Sequence, residues 1–230
     1  MKASLSVFVP VHNEQAGIGS LVSHLLEVLP ELTPRFELVV IDDGSSDATP
    51  EVIHEVVEPY PQVHAIVHPA RWGAAAAMRS GLSHSSGEAI LFRAEHNRLG
   101  LGCLPQLWSA IGGRDAVLAR CAADVHLGAI PELPGNAAND YGWQLVRRTL
   151  LDAWRRDADD EDWLGYVLSR GKRVAELEFR PQSALSAAAA AVPPRSAWAS
   201  VLSAAAHGAS PSSAKRPNYL SRLKAFAMGE

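Results

Sequence analysis

Two adjacent carboxylates, Asp42 and Asp43, end an apolar run and are followed by Gly44-Ser45-Ser46-Asp47. Upstream, a second apolar run ends in Pro10-Val11-His12-Asn13-Glu14. Acids placed at the carboxyl end of a strand stand where open α/β sheets bind ligands. If both runs end at the same sheet edge, Asn13, Glu14, Asp42 and Asp43 line one cleft suited to a polar ligand.

The elements that must position these residues follow from the pattern. Residues 36–41 make a largely apolar run that ends in the β-branched Val39, Val40 and Ile41, as in a short buried strand. Asp47 or Thr49 is expected to cap the next helix, with Pro50 in its first turn. Residues 5–11 give an earlier strand. Between the two strands, Ile18, Leu21, Val22, Leu25, Leu26 and Leu29 share one helical face. Strand, helix and strand make a βαβ unit with a right-handed crossover.

The run Val9-Pro10-Val11-His12-Asn13-Glu14, followed by Ile41-Asp42-Asp43-Gly44-Ser45-Ser46-Asp47-Ala48-Thr49, resembles the opening of a family 2 glycosyltransferase. The closest group is dolichyl-phosphate mannosyltransferase-like. The alternative for the second motif is a turn that merely caps a helix. The resemblance implies a GT-A fold: α/β, a mostly parallel central sheet flanked by helices. It also implies inverting transfer of a sugar from a UDP-, GDP- or dTDP-sugar to an acceptor, lipid-linked or carbohydrate. Pro10, Asn13, Glu14, Asp42 and Asp43 would then hold the nucleotide.

Further segments extend the resemblance. Arg71 to Gly81 follows a pattern that seats a helix beneath the nucleotide, with Arg71 either near the diphosphate or a solvated loop residue. The strand 87–92 ends in Arg93-Ala94-Glu95-His96, where the family has an Asp-x-Asp metal motif. Three readings follow. Glu95 with His96 still binds Mg²⁺ or Mn²⁺; or Arg93 contacts phosphate itself; or the site is silent and the protein is a GT-A pseudoenzyme that binds a nucleotide or a partner. Asp140 and Trp143 fall where the family lines its sugar pocket, although a capping acid and a core aromatic are the plain alternatives. Glu161 and Asp162 resemble the family's acidic pair, with Asp162 the preferred general base for an acceptor hydroxyl. The dolichyl-phosphate branch needs no base, because its acceptor is already an anion. A nucleotidyltransferase is disfavoured, since no glycine-rich, lysine-bearing loop follows the first strand.

Composition sets the remaining bounds. A chain of 230 residues accommodates one α/β domain and a tail. The break falls after Pro181: residues 1–181 form the glycosyltransferase-like domain, and residues 182–230 an Ala/Ser/Pro-rich extension with short helices. A formal charge of −4 argues against nucleic-acid binding. Cys103 and Cys121 have no metal-ligand spacing and read as inert thiols. No leader or membrane-spanning run is evident, so the expectation is a cytoplasmic protein, soluble or peripheral to the membrane.

Overall fold

The computed structural model describes residues 3–94, 97, 99–121, 141–157 and 162–179. All of them fall in one unit, Met1–Pro181. The first half repeats strand and helix: β1 (Leu5–Val11), α1 (Ile18–Leu32), β2 (Phe36–Asp42), α2 (Thr49–Val57), β3 (Val63–Val67), α3 (Ala74–Ser83) and β4 (Ala89–Arg93). After α4 (Leu104–Ala110) come β5 (Ala116–Cys121), β6 (Tyr141–Arg147), α5 (Arg148–Asp157), α6 (Trp163–Arg170) and β7 (Val174–Phe179). The strands form one sheet in the order β3-β2-β1-β4-β6-β5-β7. All neighbours are parallel except β6, which runs antiparallel to both β4 and β5.

β1 is central because all seven of its residues are buried, the signature of a strand covered on both faces. α1 covers one face with Ile18, Val22, Leu25, Leu26, Leu29 and Leu32. The other face carries Phe8, Val39, Ile41, Ile90 and Phe92, packed with Ala77, Met78, Trp154 and Trp163 from the helices. Phe8 explains Gly81: a Cβ there would lie 2.7 Å from the Phe8 ring, so α3 rests directly on β1. The Arg79 guanidinium sits 4.3 Å above the centre of Trp154, joining α3 to α5. Burying rings of this kind contributes roughly 1.5–3 kcal/mol each.

The chain runs outward from β1 to β2 and β3, then crosses back to place β4 on β1's other side. That reversal opens a crevice beyond the carboxyl ends of β1 and its neighbours. Two local expectations change. The α2 cap position is Ala48, while Asp47, one residue upstream, accepts the Thr49 amide at 3.0 Å. Residues 141–147, read only as a pocket-lining segment, are the antiparallel strand β6.

Candidate functional site

A cleft opens at the tips of β1 and β2 beside the start of α3. Pro10, Val11, His12, Asp43, Gly73 and Ala74 line it. Asp43 is its fixed point. Its backbone amide donates to the Val11 carbonyl at 2.8 Å, extending the β1–β2 ladder by one step. Its carboxylate accepts three hydrogen bonds: from His68 Nδ1 at 2.8 Å, the Trp72 amide at 2.9 Å and the Gly73 amide at 2.8 Å. Burial alone raises the pKa of a carboxyl. Here the His68 bond and the two amides outweigh that effect and hold Asp43 below the usual carboxylate range.

The 68–73 loop is thereby strapped to the β2 tip. Gly44 lets the straps meet. It has φ +70, and a Cβ there would lie 2.6 Å from the Arg71 amide and closer still to Ala70. No other residue type fits so close an approach. His68 is itself buried and reaches Ser80 on α3 through Nε2 at 2.9 Å. Trp72 lies against His68 with ring centres 4.6 Å apart, yet is 54% exposed at the rim.

The other expected site residues divide. Pro10 lines the cleft and Arg71 is exposed on the loop above it. Asn13 acts as a brace between strand tips. At φ 55, its amide hydrogen goes to Ser45 Oγ at 2.9 Å and its side-chain carbonyl accepts from the Ser46 amide at 2.8 Å. Asp42 is 1% exposed and takes both donors of Ser45 on Oδ1, while its buried Oδ2 has no partner. It therefore shapes the turn and does not face the cleft. Glu14 was expected beside Asp43 as a nucleoside ligand. Instead it meets Arg93 Nη1 at 3.1 and 3.3 Å through its two oxygens.

Burial and capping describe two further expected residues. Trp143 is 1% exposed, with Nε1 buried and unpartnered, so it presents no open face to a sugar ring. Asp162 is exposed and accepts the Gly165 amide at 2.8 Å, the N-cap bond of α6. Asp140, Glu161, Glu95 and His96 lie outside the described residues. Cys103 is buried, donates to the Gly100 carbonyl, and burial pushes its thiol up to about 12, as expected for an inert cysteine.

Arg93 stands where the Asp-x-Asp motif has its first acid, and its guanidinium is paired with Glu14. Among the described residues, no group of three or more His, Cys, Asp or Glu side chains is placed to hold a metal ion. Glu95 and His96, the residues expected to hold Mg²⁺ or Mn²⁺, are not among them. Sequence reasoning passed over His68, Trp72 and His12. His68 precedes the pattern that starts at Arg71 and Trp72 is an unspecified position within it, so only the fold brings them to Asp43. His12 was quoted within a motif but given no role. Its Nδ1 lies 3.0 Å from the Asp43 carbonyl.

Residues 6–156 match the family model for glycosyl transferase family 2, and the chain belongs to that family. It is 26% identical over 164 residues to an undecaprenyl-phosphate 4-deoxy-4-formamido-L-arabinose transferase of Photorhabdus laumondii, covering 65% of this chain and 50% of that one. The chain thus spans about half the length of the curated relatives it matches. Among solved structures, it is similar to S. aureus TarS 1–349 in complex with UDP-GlcNAc, with TM-score 0.53, 18% identity, and 78% and 59% of the two chains covered. It is also similar to a Pyrobaculum calidifontis mannosyltransferase in complex with GDP-Man and Mn²⁺, with TM-score 0.53, 18% identity, and 99% and 69% covered. The fold is GT-A.

Proposed function

We propose that this protein transfers a sugar from a nucleotide-sugar to a polyprenyl phosphate, with inversion at the sugar carbon, and that residues 1–181 are the part that does so. The observation that carries the reading is the cleft at the β1 and β2 tips, with Asp43 held ionised and immobile in its wall. A carboxylate fixed by three donors keeps one acceptor position, on Oδ2, for a ligand hydroxyl or imide N–H without reorganising. Trp72 at the rim offers a flat face to the nucleobase, and His12 lines the floor.

The acceptor's phosphate oxygen bonds to C1 of the sugar as the bond from C1 to the diphosphate breaks. The electron pair of that bond stays on the departing diphosphate. Such an acceptor is already an anion and needs no general base. That suits Asp162, whose carboxylate is engaged in capping a helix. The name of the Photorhabdus relative supports a lipid-phosphate acceptor. No helix among the described residues is long and apolar enough to cross a membrane.

The test is direct. The purified protein is incubated with UDP-, GDP- and dTDP-sugars and a short-chain polyprenyl phosphate, and products are read by mass spectrometry. A glycosylated lipid phosphate is expected. Nucleotide binding with no transfer to this or to carbohydrate acceptors would sink the reading and leave a silent binding protein.

A further inference from the structure

We propose that Arg93 is a built-in diphosphate ligand, standing where related enzymes place a metal, and that Glu14 is its displaceable counter-ion. This rests on the nucleotide-sugar reading above. β4 ends at Arg93, which delivers the guanidinium to the same sheet edge as the cleft. The backbone there is held from the neighbouring strand: Arg93 is opposite Trp143, and the Ala94 amide donates to the Gly142 carbonyl at 2.9 Å. Glu14 is also fixed by its backbone, since its carbonyl accepts from Gly17 and Ile18 at the start of α1. The two side chains meet across the gap between β1 and β4, where the fold places its crevice.

The chemistry of the pair decides its use. A guanidinium stays charged at every accessible pH, so this spot is permanently cationic. A divalent cation brought beside it meets like charge. A diphosphate meets a planar fork of donors matched to its oxygens. Only one guanidinium nitrogen, Nη1, serves Glu14, and it is shared between both carboxylate oxygens. The Glu14 side chain is 26% exposed and that of Arg93 14%. In so largely buried a pair the cost of desolvating both charges offsets much of their attraction, and an incoming diphosphate gives the guanidinium a new anionic partner in place of the carboxylate. The pair keeps the arginine aimed and paired while the site is empty.

Isothermal titration with UDP and GDP tests this, run once with EDTA and once with Mn²⁺. For whichever nucleotide binds, the affinity is expected to agree within about twofold between the two buffers. Arg93→Ala is expected to weaken the diphosphate at least about tenfold while leaving the free nucleoside unchanged. Because Arg93→Ala removes a partly buried side chain, Glu14→Gln provides the second arm. It is expected to tighten the diphosphate several-fold, with the nucleoside unaffected. Binding that requires Mn²⁺, or a Glu14→Gln variant that binds more weakly, overturns the arginine role and leaves the nucleotide-sugar reading standing. No binding of either nucleotide in either buffer overturns both.

Discussion

His68 and Asp43, 25 residues apart in sequence, meet through a hydrogen bond of 2.8 Å inside the protein. A carboxylate can only accept, so His68 Nδ1 carries the proton. Nε2 then faces the Ser80 hydroxyl at 2.9 Å. The ring therefore couples the β2 tip to α3, on either side of the 68–73 loop. His68→Ala removes both bonds and leaves Asp43 with two amide donors. It is expected to cost about 1–3 kcal/mol in urea denaturation. Nucleotide affinity should fall as well, because the loop that forms the cleft wall loses an anchor.

The same carboxylate makes a prediction about acid. Burial works against the Asp43 charge, but His68, Trp72 and Gly73 more than offset it and lower its pKa. A native pKa below the unfolded one stabilises the fold fully above the unfolded value, about 3.9. The contribution is lost as pH falls through the lower native value. Asp43→Asn should be less stable than the wild type at neutral pH, with the gap narrowing below about pH 4. Chemical denaturation across that range checks it. A gap that stays constant with pH would show that the lost term is not ionic.

Gly44 is the narrowest joint in the site. Gly44→Ala forces φ +70 on a residue with a side chain and drives its Cβ into the backbone of residues 70 and 71. Neither neighbour is a flexible side-chain end, so the loop itself must move. The expected loss is about 2–4 kcal/mol, from strain and lost loop contacts together. A drop in melting temperature accompanied by weaker nucleotide binding is the expected result. A variant as stable as the wild type would mean the loop relaxes freely.

What was legible in the sequence follows from range. The β1 and β2 tips could be read because an apolar run stops at charged and small residues, a local signal. β6 could not. Tyr141 to Val146 are all buried, so the strand shows no alternation to identify it. For the same reason the face of Trp143 was open to misreading: residue type says that a ring is present, not which way it points. The arginine substitution at the metal motif was visible. Its partner Glu14, 79 residues away, was not, because only the β1–β4 pairing brings them together. Asn13 shows the converse. The motif around it was legible, but its side chain is occupied in bracing one loop against the other.

Trp72 should report on the ligand. It is the one described tryptophan among the exposed large hydrophobic residues, while Trp143, Trp154 and Trp163 are buried. A nucleobase stacked on it should quench intrinsic fluorescence. Trp72→Ala should abolish most of that signal and weaken nucleotide binding by roughly tenfold, the order expected for loss of one stacked base. Trp72→Phe should restore much of the affinity. Quenching that persists in Trp72→Ala would place the base elsewhere.

Asp162 separates two acceptor chemistries. As a helix cap it satisfies an otherwise orphaned amide, and asparagine does this about as well as aspartate. As a general base it must be a carboxylate, since an amide cannot take up the proton of an attacking hydroxyl. With a lipid-phosphate acceptor, Asp162→Asn should keep both stability and transfer rate within about twofold. Asp162→Ala should lose about 1 kcal/mol of stability through the missing cap. A severe loss of turnover in Asp162→Asn, at unchanged melting temperature, would instead identify a proton to be removed. The acceptor would then be a hydroxyl and not an anion.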